Sequence, residues 1–92
     1  MNKKIQVIGK VQGVFFRKRT QEKARELAIT GWIRNEPDGS VRGEIEGTAE
    51  AIDQMEAWLK VGPERAVVQT LLSEEGEEKD YLDFEIKGKD WK

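Results

Sequence analysis

Apolar residues along this chain recur at strand-like and helix-like spacings in alternation, and the order of those blocks predicts the fold. Residues 4–8 read as a first strand, with Ile5, Val7 and Ile8 blurring the alternation at a fully buried end. Phe16, Thr20, Ala24, Leu27 and Ala28 then share one helical face, which predicts a helix over residues 17–28 that closes before Gly31. Residues 30–35 and 40–46 are strand candidates joined through Glu36-Pro37-Asp38-Gly39. Pro at the second turn position and Gly at the fourth suit a type I turn closed by a left-handed residue. In the second of these strands Val41, Gly43 and Ile45 point inward, while Arg42, Glu44 and Glu46 point outward.

Thr48 is placed to cap a second helix whose buried stripe is Ala51, Ile52, Met55, Trp58 and Leu59, ended by Gly62-Pro63. Residues 66–72 predict a fourth strand and residues 74–80 an acidic, solvated loop without a specific role. A last strand over 81–86 sets Leu82, Phe84 and Ile86 against Asp83 and Glu85. The order is that of a split βαβ unit: a ferredoxin-like βαββαβ α/β (α+β) sandwich. Its expected form is an antiparallel sheet with two helices on one face, plus a short extra C-terminal strand. Ninety-two residues make a single domain over 1–92 with one two-layer core. That fold hosts many unrelated activities, so function has to come from a site.

Composition narrows the chemistry. The net charge of −2, from 16 basic and 18 acidic residues, favours neither nucleic acid nor an anionic membrane as partner. With no cysteine there are no disulfides, thiolate nucleophiles or Cys-ligated metals, which fits a reducing cytosol. With no histidine the commonest general base and metal ligand are also missing. The N-terminal Met1-Asn2-Lys3-Lys4 leads into an apolar run too short for a signal peptide or a membrane span, so a soluble, cytoplasmic protein is expected. A charged fraction of 37%, rich in Glu and Lys, leans towards a thermostable protein.

The stretch Gly9-Lys10-Val11-Gln12-Gly13-Val14-Phe15-Phe16-Arg17 carries the strongest signal. It leads into the first helix, yet Val14, Phe15 and Phe16 cannot accept a hydrogen bond from the orphan amides of the first turn. Arg17, Lys18 and Arg19 follow where the helix dipole disfavours each cation by about 0.3–1 kcal/mol. One bound anion resolves both conflicts, since phosphate accepts from amides and pairs with Arg. The alternative is a helix that starts late, capped by Thr20, with the three cations solvated. The stretch is neither a Walker loop nor a dinucleotide-binding GxGxxG. A Ser-His-Asp nucleophile is impossible and no metal-ligand spacing is present. A backbone anion cradle plus arginine remains. Such a spare site suits a phosphate whose leaving group needs no proton, and a carboxylate, with a conjugate-acid pKa of about 4, qualifies.

The same stretch resembles the acylphosphatase signature GxVQGVxFR. A second block, Gly31-Trp32-Ile33-Arg34-Asn35-Glu36-Pro37-Asp38-Gly39-Ser40-Val41, is similar to that family's GWVxNxxDGxV segment. The resemblance implies hydrolysis of acyl phosphates to a carboxylate and inorganic phosphate, without metal or cofactor, by a monomer. It implies that Arg17 binds the phosphate and that Asn35 orients the attacking water. It further implies that the backbone amides of Gln12, Gly13, Val14, Phe15 and Phe16 form the cradle, with Gly9 and Thr20 supporting it. No side chain is left to act as base, so the substrate phosphate itself is the expected acceptor of the water's proton. Two departures stand out: Ile33 replaces a common Val, and Glu36 brings a negative charge near the expected phosphate site.

Two rival readings follow from the same residues. An RNA-recognition module on this fold needs aromatic residues on its central strands, and residues 40–46 have none. A non-catalytic module that senses phosphate, acyl phosphate or carbamoyl phosphate would keep the site without turnover, and only an assay separates it from an enzyme.

Overall fold

In the computed structural model, which describes residues 1–88, the chain forms β1 (Asn2–Lys10), α1 (Phe16–Glu26), β2 (Thr30–Asn35), β3 (Val41–Glu46), α2 (Ala49–Val61), β4 (Val67–Gly76) and β5 (Phe84–Ile86). The strands lie in the order β4-β1-β3-β2-β5. β1 is antiparallel to both β3 and β4, and β2 is antiparallel to β3, which is the expected ferredoxin-like core. β5 joins the edge of β2 in parallel, so the sheet is mixed rather than purely antiparallel. The reason is positional. β4 ends beside Asn2, and Asn2 lies opposite Glu46, which also pairs with the first residue of β2. The segment after β4 therefore crosses the sheet at the end where β2 begins and enters beside it in the same direction.

Both helices contribute to one core with the inward strand residues. α1 buries Phe16, Thr20 and Ala24, and α2 buries Ile52, Met55 and Leu59 against Ile5, Val7, Ile33 and Ile45. Of the expected α2 stripe, Ala51 and Trp58 are only half-buried at its margin. Thr48 caps α2 as expected, its Oγ1 accepting from Ala51 N at 3.1 Å. α1 starts one residue earlier than the periodicity suggests and ends at Glu26, with Ala28 in the left-handed region (φ 57°) before the chain turns into β2.

Three expectations at the C-terminal end change. The acidic residues Glu74 and Glu75 lie within β4 rather than in a loop, because they stand directly across from Lys4 and Lys3 on β1. Opposite charges at facing positions support pairing, by about 0.2–1 kcal/mol per pair. Leu82 does not point inward with Phe84: the ladder to β2 begins only at Phe84, and Leu82 sits in the preceding bend, 99% exposed. Glu44 and Glu46 have the predicted outward parity but are nonetheless buried, because the crossing segment covers them.

That cover is held by a polar network. Glu44 accepts from Lys79 Nζ (2.7 Å), Trp32 Nε1 (3.0 Å), Tyr81 Oη (3.0 Å) and Asn2 Nδ2 (3.3 Å). Glu46 accepts from Asn2 Nδ2 (2.9 Å) and from the backbone amides of Lys79 (2.8 Å) and Tyr81 (3.3 Å). Burial pushes the Glu44 carboxyl up, but the hydrogen bonds from Lys79, Trp32, Tyr81 and Asn2 outweigh it and hold the pKa at about 2. Glu46 is lowered for the same balance of reasons.

Candidate active site

The site is built where β1 hands over to α1. β1 is bulged at Ile8/Gly9, and Gly9 (φ 141°) lies so close to β4 that a Cβ would collide with the Val67 carbonyl oxygen and come within 2.8 Å of Gln69 N. Only glycine allows that approach, which aims the end of β1 into the loop that follows. In that loop Gly13 (φ 73°) faces open space, so what it contributes is a left-handed backbone rather than room. Phe15 is also left-handed, at φ 58° and ψ 25°, and is the N-cap residue of α1.

No side chain caps α1 and its first turn has no acidic residue. The backbone bond from Arg19 N to Phe15 O (3.0 Å) opens the helix, so the amides of the preceding turn point out of its N-terminal end. Left-handed residues just before a helix N-terminus form a concave set of amides suited to an anion. The late-start alternative is excluded. Thr20 lies inside α1, fully buried, and its Oγ1 has no hydrogen-bond partner among the described residues, so it caps nothing.

A cleft of ≈ 260 Å³ opens at this point, lined by Val11, Gln12, Gly13, Phe15, Phe16, Arg17, Lys18, Asn35 and Ile86. It brings together Arg17, from the first turn of α1, and Asn35, the last residue of β2. Asn35 reaches it through strand parity. Gly31, Ile33 and Asn35 are buried towards the helices, and Arg34 faces the other side of the sheet. Glu36 follows Arg34's side, where its carboxylate pairs with Arg34 Nε at 2.6 Å and lies 3.9 Å from Arg42 Nε. The charge expected to repel a phosphate is thus turned to the opposite face and neutralised there.

Of the residues expected to form the cradle, Gln12, Gly13, Phe15 and Phe16 line the cleft, while Val14 packs against the core. Gly9 and Thr20 do not line it: Gly9 packs against the backbone of β4 and Thr20 is buried within α1. Of the three first-turn cations, Arg17 and Lys18 line the cleft and Arg19 pairs with Glu22 at 2.9 Å. Phe16 is core, its ring centroid 6.3 Å from that of Trp58.

Two contributors were invisible in the sequence. Ile86 enters the cleft from β5, placed there by a strand pairing that no local pattern announces. Gln12 acts through its side chain as well: Nε2 donates to the carbonyls of Glu36 (2.8 Å) and Ser40 (2.9 Å), the two ends of the turn that follows Asn35. The turn is further held by Ser40 N and Oγ donating to Asp38 Oδ1 (2.9 and 2.6 Å), which lowers the Asp38 carboxyl pKa. Gln12 therefore stitches the loop between β1 and α1 to the strand end that carries Asn35. Lone glutamines in loops follow no periodicity that would reveal this.

Among the described residues no three His, Cys, Asp or Glu side chains converge to hold a metal ion, and no helix is long and apolar enough to cross a membrane.

Known proteins resemble this chain along most of its length. The acylphosphatase family model matches residues 3–86. An acylphosphatase of Nitrosococcus oceani is 44% identical over 81 residues, covering 88% of this chain and 91% of that protein. An acylphosphatase structure from Coxiella burnetii superposes with a TM-score of 0.90 at 40% identity, over 94% of this chain and 90% of the other. The acylphosphatase of Bacillus subtilis gives a TM-score of 0.91 at 28% identity, over 95% and 98% of the two chains.

Proposed function

The chain belongs to the acylphosphatase family of enzymes, and on that premise we propose that it hydrolyses acyl phosphates through the backbone cradle, Arg17 and Asn35, without a metal ion. The observation that carries this reading is the convergence, on one cleft, of an uncapped helix N-terminus, a left-handed loop before it, and the side chains of Arg17 and Asn35.

The chemistry follows from the residues. The phosphoryl oxygens accept from the amides of Gln12, Gly13, Val14, Phe15 and Phe16. The Arg17 guanidinium pairs with two of those oxygens, and Lys18 adds positive potential. Asn35 hydrogen-bonds a water and holds it in line with the bond to be broken. The water oxygen attacks phosphorus, and the bond between phosphorus and the acyl oxygen breaks with its electron pair leaving on the carboxylate. The water's proton passes to a phosphoryl oxygen. Since the leaving carboxylate has a conjugate-acid pKa of about 4, no general acid is required. Catalysis is positioning plus charge stabilisation, as in other phosphoryl transfers.

The test is hydrolysis of benzoyl phosphate by the purified protein in excess EDTA. Turnover that the chelator leaves intact is the expected result. Turnover abolished by EDTA and restored by a divalent cation would overturn the metal-free mechanism. Phosphate bound without any turnover would instead identify a sensing module on the same fold.

A further inference from the structure

Phe15 is in the wrong place for every structural purpose. Its backbone is left-handed, a conformation that strains any side chain with a Cβ and that glycine adopts freely, as Gly13 does in the same loop. Phe15 is 71% exposed and is not part of the core cluster, so burial does not offset the strain. The anion cradle uses only its backbone. A large aromatic side chain held out beside the cleft thus has no role in the fold or in phosphate binding.

Facing the same cleft is Ile86, 38% exposed at the end of β5. Its position is set by contacts that run down α1: Arg25 pairs with Asp83 at 2.9 Å, and Gln21 Nε2 donates to the Phe84 carbonyl at 2.8 Å. β5 therefore runs along α1 towards its N-terminal end and delivers Ile86 to the anion loop. The cleft lining carries two chemistries. Arg17, Lys18 and Asn35 are polar and match a phosphate, while Phe15 and Ile86 are apolar and match nothing on a phosphate.

We infer that Phe15 and Ile86 seat the acyl substituent of the substrate, and that the site selects acyl phosphates with aromatic or bulky apolar acyl groups. This deepens the acyl-phosphate reading and rests on it. An aryl group beside the phosphate buries its face on the Phe15 ring and the Ile86 side chain, whereas a methyl group is too small to cover either. Discrimination by an apolar subsite of this kind is modest, on the order of tenfold for each apolar wall removed.

The experiment measures kcat/KM for benzoyl phosphate and for acetyl phosphate in wild type, Phe15→Ala and Ile86→Ala, with far-UV circular dichroism to verify folding. In each variant the benzoyl-to-acetyl ratio is expected to fall by about five- to tenfold, with the loss carried by benzoyl phosphate. A structural role would lower both substrates alike and leave the ratio unmoved. Ratios within twofold of wild type in both variants would overturn the assignment. A wild-type protein inert towards both substrates would refute the acyl-phosphate reading itself and the acyl seat with it, a failure distinguishable from an unchanged ratio.

Discussion

Replacing Gln12 by Ala tests whether the cleft is held together across the chain or merely lined by neighbours. The substitution removes the two hydrogen bonds from Nε2 to the Glu36 and Ser40 carbonyls. Neither carbonyl is orphaned, since Glu36 O still accepts from Gly39 N (3.1 Å) and Ser40 O from Glu36 N (2.9 Å). The cost is therefore that of two neutral bonds without a desolvation penalty, about 1–2 kcal/mol in all. For a domain of this size that lowers the melting temperature by roughly 4–15 °C. Activity should suffer more than stability. Asn35 sits directly before the turn that Gln12 holds, and a misplacement of about 1 Å in a positioning group costs about 10²-fold in rate. Thermal melts and steady-state kinetics on benzoyl phosphate together read both effects. The expected result is a kcat reduced about 10- to 100-fold with a much smaller change in KM, because Arg17 and the loop amides still hold the phosphate. Gln12→Glu should be worse than Ala, since it sets a carboxylate against two carbonyl oxygens. An unchanged melting temperature, or a Gln12→Glu protein equal to wild type, would refute the stitching role.

Three further substitutions probe separate links. Asn35→Ala should lower kcat far more than it weakens inhibition by inorganic phosphate, and an equal loss in both would mean that Asn35 holds substrate rather than water. Glu44→Gln should loosen the segment that crosses the sheet and flatten the acid limb of stability. The depressed Glu44 pKa contributes stability that is present above the unfolded carboxyl value and is lost as pH falls from about 5 towards 2, so chemical denaturation across that range should show a smaller slope in the variant. Gly9→Ala should destabilise more than Gly13→Ala, because the first collides with the β4 backbone while the second meets only backbone strain of about 1 kcal/mol. Paired urea titrations that rank the two the other way would contradict that distinction.

Much of this site is legible in the sequence because its signals are local. The missing cap before Phe16, the cations after it and the two glycines follow from rules that span one helical turn, and the structure shows the uncapped start they predict. Asn35 is singled out by its motif, whereas the turning of Glu36 to the outer side, away from the cleft, appears only in the structure, where it pairs with Arg34. What stays hidden depends on where the chain goes after β4. The crossing over Glu44 and Glu46, the exposure of Leu82 and the arrival of Ile86 in the cleft all follow from the parallel docking of β5 on β2. An acidic run reads as a loop until Lys3 and Lys4 are known to lie opposite Glu75 and Glu74. Gln12 stands out in the sequence only for its backbone amide, and its side chain matters because the 36–40 turn folds back against it.

The most direct test of the central claim is benzoyl phosphate turnover by wild type and Arg17→Ala side by side, with the inhibition constant of inorganic phosphate measured in both. Arg17 lies in the first turn of α1, half-buried at the cleft and outside the hydrophobic core, so the core should survive its removal while the phosphate loses its charged partner. Turnover lost, with phosphate inhibition weakened about 100-fold or more, is the predicted result, as a charge-assisted bidentate interaction is removed. A folded Arg17→Ala protein that is still inhibited by phosphate as wild type is would contradict the account at its core.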